Sequence, residues 1–190
     1  MQFALDPEII DFASSIDSLL AKSDMPSVIR KWNDGDTAPG LQVWERVAET
    51  GAAALLVPEE VGGAGATAIE AMVALEVLGR HAVPGPVVES VMVAPRLLGG
   101  MENAEETAGA VASGTFATAS VPGVSPLLPD AHVSGHAWVA ADDAVFTALN
   151  AEGGDCADSC DGRRQSVDRA RTVCEDRKST RLNSSHRLLS

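Results

Sequence analysis

Between Trp44 and Pro86 the chain runs from helix to proline-stopped apolar link, glycine loop and second helix, and this order restricts the fold more than any other feature. Val43, Trp44, Val47 and Ala48 recur at helical spacing, and Gly51 follows where a helix closes in a left-handed conformation that glycine adopts without steric cost. One helix is therefore expected to end at Thr50. Ala52 to Val57 is an apolar run stopped by Pro58, which has no N–H to donate, and it reads as a buried extended link. Gly62, Gly63 and Gly65 then make a turn. Thr67 and Glu70 have capping-box spacing, which starts a second helix at about Ala68. Ile69, Met72, Val73, Leu75, Glu76 and Leu78 are expected on its wide packed face, and Pro84-Gly85-Pro86 ends it.

The flanking sequence is also helical. Asp6-Pro7 is an N-cap with a first-turn proline, and Ile9, Phe12, Ala13, Ile16, Leu19 and Leu20 line one side through about Lys22. Met25 to Trp32 reads as a short helix and Asn33 to Gly40 as a polar loop. Pro86 opens a helix through Leu98, bent by Pro95 and closed by Gly99-Gly100. Asn103 with Glu106 predicts a capped helix through Ala112, ended at Ser113-Gly114. From there the period changes: Phe116 to Val121, Ala137 to Ala141 and Ala144 to Leu149 are strand-type runs between proline, glycine and aspartate clusters.

Charge excludes whole classes of partner. The net charge is −13, against both nucleic acid and anionic membrane, since phosphate contact needs a basic face. No run of about eighteen apolar residues is present, nor a basic segment followed by an apolar one at the N-terminus, so a cytoplasmic protein is expected. Residues 1–150 carry a net −14 and residues 151–190 a net +1, and Cys156, Cys160 and Cys174 all fall in the second part.

Several constellations invite chemistry and fail on spacing or context. Gly63, Gly65 and Ala68 match a dinucleotide-binding pattern with Glu89 about twenty residues on, but Glu59 and Glu60 would then sit beside the pyrophosphate. The glycines read instead as a hinge between packed helices. Cys156, Cys160, Cys174 and His186 are poorly spaced for zinc, and no metal site is expected. His132 and His136 would share a face only on a helix, yet they stand in loop composition. Asp130 near His132 has no G-x-S-x-G partner, Glu59 and Glu60 read as solvated carboxylates, and Arg80 and His81 complement a helix dipole.

The order W-x-x-x-A-E-x-G (Trp44 to Gly51), V-P-E-E-V-G-G-A-G (Val57 to Gly65) and E-x-x-x-x-x-E-x-L-G-R (Glu70 to Arg80) resembles the N-terminal helical domain of acyl-CoA dehydrogenases. The resemblance continues through Pro84-Gly85-Pro86 and Val87 to Leu98, and more faintly to about Leu149. It implies a parent enzyme in which a glutamate takes the Cα proton of an acyl-CoA and a hydride passes from Cβ to FAD. In that family the base lies in a C-terminal helical domain, and the flavin is held mainly by the central β domain and C-terminal helices. The usual flavin-contact motif T-E-P-x-A-G-S-D is replaced here by T-A-S-V-P-G-V at Thr118 to Val124. No catalytic and no cofactor-binding residue therefore carries over. The family helix at Val87 to Leu98 borders the acyl cavity, and S-x-x-x-x-P matches at Ser90 to Pro95, so Val91, Ala94 and Leu98 are the candidate lining residues.

The expected fold class is mainly α: a bundle of five or six helices over residues 1–114, the truncated start of a central β domain over 115–150, and a disordered, non-homologous tail over 151–190. The tail's ending, D-R-K-S-T-R-L-N-S-S-H, resembles translated vector or adaptor sequence, so a frame change or join near residue 151 is expected. The resemblance implies a fragment of a flavin-dependent acyl-CoA dehydrogenase, inactive alone, that forms homo- or hetero-oligomers with similar subunits. The other expectation is a non-catalytic assembly module packed against a flavin-bearing partner.

Overall fold

The computed structural model describes residues 4–98, 104–121, 127–141, 144–147, 163–165, 172–175 and 185–187. Among these, helix α1 spans Pro7–Ala21, α2 Met25–Asn33, α3 Ala38–Ala48, α4 Ala68–Arg80, α5 Ala94–Leu98 and α6 Glu105–Ala112. Strands follow: β1 Ala117–Ser120, β2 Leu127–Pro129, β3 His136–Ala141, β4 Ala144–Thr147, β5 Arg163–Gln165, β6 Thr172–Glu175 and β7 Ser185–Arg187. A mainly helical unit thus precedes an incomplete sheet, as the sequence implies. The expected Gly99-Gly100 stop lies outside the described residues, as does most of the 151–190 tail; β5, β6 and β7 are its described parts.

Local chemistry sets the helix ends. Asp6 and Asp24 accept backbone N–H bonds at the starts of α1 and α2, each with a first-turn proline. The polar loop after α2 is shorter than its composition implies, because Pro39 sits in the first turn of α3 and takes the helix start back to Ala38. Gly51 closes the far end at φ 90°. Two corrections follow. Ala52–Ala54 is a tight 3-10 turn and not an extended link, since three small residues allow the chain to coil and still bury Ala52, Ala53 and Val57. α6 starts after Ala104 with no side-chain cap, and Asn103 lies outside the described residues.

A third correction concerns α4. Its buried side is Ala71, Ala74, Val77 and Leu78, whereas Ile69 and Met72 are 54% and 62% exposed. Alanines on the inner stripe bring the axes of α1 and α4 close, which the bulkier residues would prevent. Two apolar clusters hold the unit together. One joins α1 to α4 around Ile16, Leu20, Trp44, Val47 and Leu78; the other joins α5 and α6 to the sheet through Leu98, Val111, Ala119 and Trp138.

In the sheet, β1 pairs parallel with β3, β3 antiparallel with β4, and β4 antiparallel with β7, in the order β1-β3-β4-β7. Strands β2, β6 and β5 form a second, antiparallel ribbon.

Candidate functional site

The segment from Val87 to Leu98 is not one helix with a bend. Pro95 cannot donate to Val91 and its ring crowds that carbonyl, and the preceding turn relaxes to a π-turn over Glu89–Val93, in which the Ala94 N–H reaches Glu89 O. The extra residue in this turn sends the Ser90 side chain to β1. The Ser90 hydroxyl accepts from Ala117 N–H at 2.9 Å and donates to Ala117 C=O at 3.0 Å, completing the free edge of the strand.

The three candidate lining residues lie around this turn and are separated by it. Val91 is 0% exposed within the helical cluster, while Ala94 and Leu98, at 1% and 4%, belong to the cluster under the sheet. All three are packed by this chain's own side chains, and Val88 is the exposed apolar residue of the segment.

The glycine loop is occupied by the chain itself. Gly62 N–H donates to Glu59 O, Gly63 N–H to Pro58 O, Ala64 N–H to Ala54 O, Gly65 N–H to Val57 O and Ala66 N–H to Leu55 O, all at 2.7–3.0 Å. No N–H of that run is left to meet a phosphate. A Cβ on Gly63 would lie 1.9 Å from Val57 O, so glycine is required by close packing of the loop. The Glu59 side chain lies against Gly65, its Oε1 3.3 Å from where a Cβ would stand. A pyrophosphate would meet a carboxylate here, and the dinucleotide pattern is a packing device.

FAD, which the sequence resemblance implies, fares no better on the described residues. The polar side chains of β1, Thr118 and Ser120, are 1% and 0% exposed and closed off from solvent, and Ser90 is spent on the strand edge. Among the described residues these side chains offer a flavin no open polar group, and the residues from Pro122 to Pro126 lie outside the described ones.

Other titratable groups have structural partners. The capping box is formed: Thr67 N–H donates to Glu70 Oε2 at 3.0 Å and Ile69 N–H to Thr67 Oγ1 at 3.3 Å, and the Thr67 hydroxyl beside Glu70 holds its carboxyl below the ordinary value. His81 and Arg80 do more than face a dipole. His81 Nε2 is 2.9 Å and Arg80 3.5 Å from Asp17 Oδ1, tying α4 to α1. His132 stands in a 3-10 turn and His136 on β3, stacked at 5.6 Å on Trp138, so the two histidines share no helix face. Burial pushes the His136 imidazole below its ordinary pKa, with Glu106 pulling the other way. Sequence reasoning gave Asp130 no structural role; it is fully buried at φ 47°, a conformation aspartate tolerates better than most residues. Cys174 and His186 stand on strands of different sheets, and Cys156 and Cys160 lie outside the described residues. Among the described residues no group of His, Cys, Asp and Glu is arranged to hold a metal, and no helix is long and apolar enough to cross a membrane.

Comparison with known proteins agrees with this architecture. The chain is 35% identical over 85 residues to acyl-CoA dehydrogenase IpdE2 of Mycobacterium tuberculosis, covering 44% of this chain and 27% of that one. It is 35% identical over 104 residues to IpdE2 of Mycolicibacterium smegmatis, covering 53% and 33%. It thus matches about a quarter to a third of these relatives' length. Among solved structures, an acyl-CoA dehydrogenase complexed with FAD from Bacillus anthracis superposes with a TM-score of 0.66 at 13% identity, over 90% of this chain and 36% of that one. The Tcur3481-Tcur3483 steroid ACAD gives 0.65 at 18% identity, over 96% and 57%. The ChsE4-ChsE5 complex from Mycobacterium tuberculosis gives 0.58 at 12%, over 93% and 55%. The family model described as "Acyl-CoA dehydrogenase, N-terminal domain" matches residues 7–119, and the chain belongs to that family.

Proposed function

We propose that this chain is the front portion of a cytoplasmic acyl-CoA dehydrogenase, whose reaction is the α,β-dehydrogenation of an acyl-CoA thioester with FAD as the electron acceptor. The reading is carried by the family match over residues 7–119 together with the Trp44 helix, the self-bonded glycine loop and the capped α4. The chain's own part is scaffolding. The π-turn segment forms a wall of the acyl cavity, and Val91, Ala94 and Leu98 set its shape from the core side. By the family resemblance the catalytic base belongs to a C-terminal helical domain and the flavin contacts mainly to the central β domain and C-terminal helices, beyond the matched N-terminal domain, so the isolated chain is inactive. Electron transfer from an acyl-CoA to an artificial acceptor tests this: turnover is expected from the complete protein alone, and turnover by the isolated chain overturns the reading.

A second reading has its own support. The sealed Thr118 and Ser120 suit a non-catalytic subunit that packs on a flavin-bearing acyl-CoA dehydrogenase, and two structural neighbours carry names with two components. Absorbance near about 450 nm, where oxidised flavins absorb, separates the readings when the complete protein is purified with and without its partner. Flavin retained without the partner favours the enzyme.

A further inference from the structure

α1 and α4 leave a groove of about 330 Å³ between them, lined by Leu5, Ile10, Ala13, Val73 and Val77 and bounded by Asp17, Glu76 and Arg80. Arg80 lies 3.5 Å from Asp17 and 3.9 Å from Glu76. Ile69 continues the row Val73, Glu76, Arg80 along α4, and Met72 stands on its shoulder. Leu5 and Ile10, 43% and 49% exposed, rim the groove on the α1 side, and Ile69 and Met72, 54% and 62% exposed, extend the apolar strip along α4 beyond it. Such a rimmed, concave strip is the form that accepts a helix laid lengthwise.

We propose that this groove docks an amphipathic helix of a partner chain, with apolar anchors at helical spacing and Lys or Arg flanking them. Charge selects this occupant. Asp6, Glu8, Asp11, Asp17, Glu70 and Glu76 lie on the two helices and their caps, against Lys22 and Arg80 as the permanent cations there. Arg80 is already shared between Asp17 and Glu76. A basic helix meets complementary potential, whereas an anionic membrane or a second copy of this chain, at −13, meets repulsion. His81 also faces Asp17 and adds positive charge only when protonated.

The probe is a pair of synthetic helices of about eighteen residues, a length that holds helix on a surface, with Leu on one face and Lys or Glu on the other. Titrated against the 190-residue chain with methionine-methyl NMR, the Lys helix is expected to bind and to shift the Met72 methyl, and the Glu helix is not. The double variant Ile69→Glu with Met72→Glu makes the face more acidic, so purely electrostatic binding would strengthen. Binding at least about tenfold weaker, as expected from losing the two apolar side chains of the strip, supports the groove. Both positions are exposed, so folding is checked by far-UV CD and is expected to be unchanged. Glu76→Lys should weaken the Lys helix and favour the Glu helix. Equal affinity for both helices, undiminished binding by the double variant, or self-association through this face in sedimentation overturns the proposal.

Discussion

The Trp44 indole lies stacked on the Phe116 ring, with centroids 4.6 Å apart and planes 13° from parallel, and its Nε1–H donates to Gly114 C=O at 2.7 Å. α3 and the start of β1 are therefore joined by one side chain that is 2% exposed. Trp44→Phe keeps an aromatic face and strands the Gly114 carbonyl, so a loss of about 1–3 kcal/mol is expected. Trp44→Ala also opens a cavity and should lose about 3–5 kcal/mol. Urea unfolding followed by far-UV CD measures both, and an undiminished midpoint in Trp44→Phe would show that the hydrogen bond contributes nothing.

Gly114 carries a second constraint at the same junction. Its φ is +97°, and a Cβ there would lie 2.5 Å from Ala48 Cβ. Gly114→Ala should destabilise by about 1–3 kcal/mol through strain and overpacking. Adding Ala48→Gly removes the clash and leaves the left-handed backbone, so the double variant should recover part of the loss relative to Ala48→Gly alone. Thermal unfolding of the four proteins in this cycle reads the split.

What was legible in the sequence follows how local its cause is. The Thr67–Glu70 box, the Gly51 closure and the proline-led start of α1 depend on a few neighbouring residues, and the structure has them. The buried side of α4 was ambiguous because the helix is apolar nearly all round. Ile69 and Met72 outweigh Ala71 and Ala74 in hydrophobicity, yet close approach to α1 favours the alanines. For Val91, Ala94 and Leu98 the 3.6 period was the wrong ruler, since the π-turn inserts a residue and divides them between two clusters. The parallel pairing of β1 with β3 and the buried Asp130 depend on contacts distant in sequence, which no local pattern carries.

Removing the capping box should loosen α4 from its start. Thr67→Ala leaves the Ile69 N–H without its acceptor and is expected to cost about 0.5–2 kcal/mol. Because Glu70 has its pKa lowered mainly by Thr67, the box contributes stability above the ordinary carboxylate value of 4.5, and this is lost as pH falls through the folded-state value. In Thr67→Ala that acid-side loss should shrink. NMR titration of the Glu70 carboxyl in both proteins checks it: an unshifted Glu70 in the parent chain would contradict the assignment.

His136 should add a second loss of stability with falling pH, nearer neutrality. Its folded pKa lies below the ordinary 6.5 because burial penalises the imidazolium, while Glu106 partly offsets this. The unfolded chain therefore binds the proton first as pH falls. Stability is full above about 6.5 and declines as pH drops from there toward the folded-state value, below which the slope from this residue vanishes. His136→Gln should flatten the difference between urea midpoints at about pH 7.5 and about pH 5.5. Glu106→Gln should steepen it, because the carboxylate that raises the imidazole pKa is gone and the window extends to lower pH. A midpoint difference that ignores both substitutions would mean that His136 takes up its proton equally in the folded and unfolded chain.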